Sequence, residues 1–164
     1  IADVQERLPN RDGMTREQAL AAAFLPGVRV TRQALFLETA EVGAVRNQSG
    51  APFEGALVVR YAGSDGSFAY FDTHRVRTMP ETVMIVVGAD EKVRSIEILS
   101  FNEPSDYYPK RRWLDQFLHR PLSRDLSLSG AIRPMSGASL TGRAITDASR
   151  RVLAIHRVLG ARTR

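Results

Sequence analysis

The chain contains no cysteine. That excludes disulfides, iron–sulfur clusters, c-type haem attachment and thiolate-bound zinc, and it suits a protein working outside the cytoplasm. Lysine is almost missing, with Lys92 and Lys110 the only two among 23 basic residues. Histidine occurs three times, as His74, His119 and His156. These lie far apart without ligand spacing, so no metal centre is expected, since zinc or iron needs three or four convergent ligands. No apolar run approaches the roughly 18 residues of a membrane span; Ala19–Leu25 is short and stops at Pro26. Neither a G-x-x-x-x-G-K-S/T run nor a G-x-G-x-x-G fingerprint is present. Aromatic residues are not interleaved with arginine as in single-strand binders, and no DNA-reading motif occurs, so no nucleic-acid partner is expected.

A length of 164 residues suits one domain with a real core. The net charge of +5 is unevenly spread. Residues 1–109 carry 11 Lys/Arg against 15 Asp/Glu, whereas residues 110–164 carry 12 against 3. Such asymmetry predicts an anionic partner near the C-terminal third: a phosphate-bearing cofactor or an anionic membrane surface.

Residues 1–13 read as a flexible lead-in and 161–164 as a tail, leaving the domain at 14–160. Thr15 and Gln18 have capping-box spacing and start a helix running to about Leu25, ended by Pro26-Gly27. Val28–Leu37 alternates as a strand, Glu38–Arg46 is a short helix, and Asn47-Gln48-Ser49-Gly50 a loop. Two hairpins follow. Ala56–Ala62 and Ser67–Asp72 flank Gly63-Ser64-Asp65-Gly66, and Thr82–Val87 and Lys92–Phe101 flank Gly88-Ala89-Asp90-Glu91. Arg111–Leu118 is helical, with Trp113 and Phe117 on one face. His74–Thr78 reads by itself as a solvated connector. This order predicts an α+β fold with a twisted antiparallel sheet and packed helices.

The most informative segment is Met135-Ser136-Gly137-Ala138-Ser139-Leu140-Thr141-Gly142. It opens a helix in which Ile145, Ala148, Val152, Ile155 and Leu159 recur at helical spacing. A helix start offers free N–H groups and the positive end of the macrodipole, which suits an anion. Ser136 and Thr141 can donate to phosphate oxygens, Gly137 and Ala138 allow close approach, and Arg133 and Arg143 can add charge-assisted bonds. A plain helix cap is the simpler reading of the octapeptide alone.

These residues resemble the S/T-G-A-T/S signature of the FMN-binding domain family, which includes the FMN-carrying subunits of sodium-translocating NADH:quinone reductases and Rnf complexes. Two further blocks carry the likeness: Asp72–Thr82, and Phe101-Asn102-Glu103-Pro104-Ser105-Asp106-Tyr107-Tyr108-Pro109 followed by Trp113, Leu114 and Phe117. Both look like segments of single-domain periplasmic members, and the resemblance spans roughly residues 14–160. In that family a flavin transferase attaches FMN through a phosphoester to the last hydroxyl of the signature, outside the cytoplasm. The resemblance makes Ser139 the acceptor here, where the family usually has Thr. It also implies cofactor contacts from Ser136, Gly137, Ala138, Leu140 and Thr141, with Thr78 or Glu81 binding isoalloxazine heteroatoms and Glu103 and Tyr108 bordering the site. Arg133 departs from the family, which often has an acidic residue at that place. FMN can thus be covalent or non-covalent. The implied protein is an extracytoplasmic electron carrier with redox partner proteins and, by its basic C-terminal third, a membrane-surface contact. Since Ile1 rather than Met stands first, a removed upstream signal or anchor is also an expectation. The alternatives are a flavin-free interaction module of the same fold and a flavin-dependent reductase.

Overall fold

The computed structural model describes residues 14–162; the expected lead-in at 1–13 and the end of the expected tail lie outside them. In chain order the elements are α1 (Arg16–Ala23), β1 (Val30–Phe36), α2 (Thr39–Ser49), β2 (Leu57–Gly63), β3 (Phe68–Arg75), β4 (Pro80–Val87), β5 (Val93–Phe101), α3 (Arg111–Leu114) and α4 (Ser139–Ala161). The strands form one antiparallel sheet in the order β1-β2-β3-β4-β5, and the fold is the expected single-domain α+β type.

Local chemistry explains most boundaries. The Thr15 hydroxyl accepts from the Gln18 N–H while the Gln18 side chain accepts from the Thr15 N–H, the reciprocal capping box of α1. In the first hairpin, Gly66 takes φ +88, and Asp65 Oδ1 accepts from both the N–H and the hydroxyl of Ser67. The second turns through Glu91 at φ +64. The expected loop at Asn47–Ser49 is instead the last turn of α2. Gly50, in the left-handed conformation, donates to the Arg46 carbonyl and ends the helix there. The helix expected over Arg111–Leu118 divides into α3 and a 3-10 turn at Asp115–Phe117. At the other end, α4 runs through Ala161, and Arg162, expected in the tail, is bonded to Glu41 and to the Phe36 carbonyl.

The main core lies between α4 and one face of the sheet. From the helix come Ile145, Ala148, Val152, Ile155 and Leu159; from the sheet come Val83, Ile85, Val87, Ile96 and Ile98. A smaller cluster of Ala19, Phe24, Ala69, Met84, Val86 and Leu99 sits under α1 on the other face. Strand β4 is therefore buried on both faces, which explains its unbroken apolar run Val83–Val87. Among the described residues no helix is long and apolar enough to cross a membrane.

Candidate cofactor site

The signature octapeptide is the entry to α4. Gly137 has φ +76, a conformation that a side chain disfavours, and a Cβ built there would meet nothing within 4 Å. Ala138 is the N-cap and supplies no side-chain cap. Ser139 is the first helical residue and is exposed, and Leu140 beside it is 47% exposed. Thr141 faces inward: it is 1% exposed and its Oγ1 has no hydrogen-bond partner. A helix of 23 residues thus begins with an uncapped first turn in which Gly137 and Ser139 are exposed on either side of a buried Ala138. Exposed Arg133 and Arg143 lie on either side in the sequence.

The segment from Glu103 to Phe117 is bonded to both of the other sequence blocks. Trp113 Nε1 donates to the Arg133 carbonyl at 2.6 Å, and Gln116 Oε1 accepts from the Arg133 N–H at 2.7 Å, so α3 and the 3-10 turn after it clamp the loop leading into the octapeptide. Gly142 packs beneath the same indole; a Cβ there would lie 3.4 Å from Trp113 Cζ2. Glu103 in turn holds the β3–β4 turn. Its Oε2 accepts from the N–H groups of Arg77, Thr78 and Met79 at 2.8, 2.9 and 3.1 Å. Burial alone would raise its pKa, but the three N–H donors outweigh that and hold its carboxyl below the usual range. Thr78 is exposed on that turn, and its carbonyl accepts from Arg75. Tyr108 is half-buried, edge-on to Phe101 with ring centres 5.2 Å apart.

A buried ionic line runs along the inner face of the sheet. His74 Nδ1 lies 2.8 Å from Asp72 Oδ1 and its Nε2 lies 2.6 Å from Glu81 Oε1. Arg151 of α4 makes two bonds to Asp72, Nε to Oδ2 at 2.8 Å and Nη2 to Oδ1 at 2.9 Å, and donates through Nη1 to the Pro52 carbonyl. Burial opposes charge on His74, yet the bonds to Asp72 and Glu81 and their fields raise it to about 9. For Asp72, burial is outweighed by His74 and Arg151, and its carboxyl falls below the usual range. For Glu81, burial wins over His74 and its carboxyl is raised.

The line corrects two expectations. His74 is not part of a solvated connector but lies inside β3, paired in register with Glu81 of β4. Glu81 is 0% exposed with one oxygen on His74, so it sits inside the fold, not on an open face where a ring could lie. Glu103, likewise, has one carboxylate oxygen occupied by backbone donors and serves as the anchor of the turn carrying Thr78. Alternation on β3 and β4 is the signal that could have found the pairing: Asp72 and His74 two apart, facing a buried Glu81 across the ladder.

Two adjoining cavities of about 430 and 220 Å³ share Pro52, His74 and Arg151. The larger opens where β2 and β3 part. Their ladder covers only Arg60–Ala62 against Phe68–Tyr70, although both strands continue. The smaller reaches Ala144 and Asp147 on the flank of α4.

Several arginines of the C-terminal third, some of them exposed, are bonded to groups of the chain itself. Arg150 donates to the carbonyls of Ser49, Ser123 and Leu126, Arg120 to that of Gln116, and Arg157 to that of Leu122. Arg111 bonds Ile96 and Glu97, and Arg162 bonds Glu41. The planar guanidinium reaches several carbonyls at once, which an ammonium does less well. These residues tie loops to the helix. Comparison with family models, with curated proteins and with solved structures finds no match for this chain.

Proposed function

We propose that this protein is an extracytoplasmic electron carrier that holds FMN at the head of α4, through a phosphoester to Ser139. The observation that carries the reading is that one segment, Glu103–Phe117, contacts both the octapeptide with its approach and the β3–β4 turn, two stretches distant from each other in sequence. A helix cap by itself would require no such convergence. The residues fit the group. Ser139 presents its side chain at an exposed first helical position, Gly137 keeps the approach open, and buried Thr141 has a hydroxyl with no partner in the fold. The free N–H groups and dipole of the first turn favour a phosphate there.

The flavin, when bound, supplies the redox chemistry. The chain's part is attachment, orientation and electrostatics. Ser139 supplies the hydroxyl for the phosphoester, and the first-turn N–H groups neutralise phosphate charge. Arg133 and Arg143 add positive potential, and Glu103 fixes the turn that presents Thr78. Tyr108, packed on Phe101, lines the same segment. A flavin transferase is required for covalent maturation, and redox proteins are the expected partners.

Coexpression with a flavin transferase followed by intact-mass measurement tests this. The expected result is an added mass of one FMN less water, and a protein that stays yellow after denaturation. A colourless protein of unmodified mass would favour the flavin-free module. Steady turnover of an added small-molecule donor by the yellow protein would favour a reductase.

A further inference from the structure

The two outer strands of the sheet differ in what lies along their free edges. On β5, Val93 donates to the Arg120 carbonyl and accepts from the His119 N–H, and Arg111 donates to the Ile96 carbonyl. On β1, no strand lies beyond the edge among the described residues. The direction of each β1 backbone group follows from the bonds flanking the strand. The Arg29 carbonyl accepts from the Ser64 N–H, and the Leu37 N–H donates to the Ala56 carbonyl, so the odd-numbered residues face β2. Val30, Arg32, Ala34 and Phe36 therefore turn their N–H and C=O groups outward. In keeping with this, the Phe36 carbonyl accepts from Arg162, after α4, and keeps a second lone pair. All four residues are exposed, and their side chains share the sheet face on which Leu57 stands opposite Phe36. Val30, Phe36 and Leu57 are 44, 71 and 53% exposed, a run of large apolar side chains in solvent. An open edge of this kind is a template for another strand.

We infer that β1 is a self-association edge: two copies of this chain join β1 to β1, antiparallel about a two-fold axis at Gln33, into one continuous sheet. The inference is independent of the functional reading above. The strand carries its own complement, as an isologous contact requires. Centring on Gln33 pairs all four outward residues, with Val30 opposite Phe36 of the second copy and Arg32 opposite Ala34. Centring on Arg32 would set two like charges directly opposite, and centring on Ala34 would leave Val30 without an opposite among the four. In the favoured register the strand's one charged residue meets a small apolar one. Val30 and Phe36 cover each other beside Leu57, which removes apolar surface from water. The two Arg32 side chains lie diagonally across the axis and repel, which limits the strength of the dimer.

Sedimentation velocity of the purified chain over a wide concentration range measures the association, and a reversible monomer–dimer equilibrium is expected. Ala34→Pro removes an outward N–H that makes no bond to β2, a place where an edge strand tolerates proline. It should give a folded monomer, with folding checked by circular dichroism. Ala34→Glu sets a carboxylate opposite Arg32 of the second copy and should tighten the dimer severalfold, whereas Ala34→Arg should loosen it. These two variants decide the matter if Ala34→Pro does not fold. Because the chain has no cysteine, a single introduced thiol reads the register. Gln33→Cys would stand opposite itself in a pair whose Cα atoms lie about 4.5 Å apart, within disulfide reach. Oxidation should link it into a covalent dimer. Thr31→Cys, opposite Leu35 of the second copy, should stay unlinked. A monomer at every concentration overturns the inference. So does a dimer that survives in folded Ala34→Pro, one that does not link through Gln33→Cys, or an equal effect of Ala34→Glu and Ala34→Arg.

Discussion

His74 is held between two carboxylates, with Nδ1 2.8 Å from Asp72 and Nε2 2.6 Å from Glu81. Both ring nitrogens are thus engaged by acceptors, and the protonated ring satisfies both at once. This raises His74 to about 9 from its ordinary 6.5. A histidine raised on folding contributes stability that is complete below its unfolded value and is lost as pH rises through the folded one. Stability should therefore fall between about pH 7 and 10 by on the order of 3 kcal/mol. Urea midpoints across that range in the wild type and in His74→Gln check this, the variant showing a much flatter profile.

Asp72 joins His74 to Arg151 and is the centre of the line. Asp72→Asn should destabilise by about 3–5 kcal/mol, since it leaves two buried cations short of a counter-charge. In the wild type its depressed carboxyl contributes stability above its ordinary pKa of 3.8, and this is lost as pH falls through the depressed value. Denaturant titration of the variant at neutral pH, with an acid series of the wild type, measures both effects.

The Glu103 carboxylate gathers the N–H groups of Arg77, Thr78 and Met79. Glu103→Gln should speed hydrogen exchange at those amides by about tenfold or more, since a neutral amide oxygen is a weaker acceptor. The core amides of β4 should be unchanged. In the wild type, protection at the turn should decline on acidification, because a lowered carboxyl pKa means that the stabilising form is lost only below its ordinary value.

In the flavin-loaded protein, Arg143→Gln and Arg133→Gln should each lower the midpoint potential, because positive charge favours the reduced, more negative cofactor. Spectroelectrochemical titration reads the change. An unchanged or higher potential would remove these arginines from the electrostatic account.

Much of the fold was legible in the sequence because its signals are local. The Thr15–Gln18 capping box, the Gly63–Gly66 turn and the periodicity from Ile145 to Leu159 each act within a few residues, and the structure has all three. The end of α2 escapes a linear reading because Asn47, Gln48 and Ser49 are polar residues common in loops. Their helix continues until Gly50 supplies the left-handed residue that stops it. The His74 pairing was hidden for a different reason. It depends on strand register, which sets Glu81 opposite His74 and brings Arg151 over Asp72 from 79 residues away. The charge asymmetry was visible, but no linear reading distinguishes an arginine offered to a ligand from one bonded to the carbonyls of Ser49, Ser123 and Leu126.

One hydroxyl decides whether FMN is attached as proposed, that of exposed Ser139 at the first position of α4. Intact-mass measurement of the wild type and Ser139→Ala, each coexpressed with a flavin transferase, tests it most directly. The wild type should gain the mass of one FMN less water and the variant should gain nothing. An unlabelled wild type, or a variant that still carries the added mass, would contradict it.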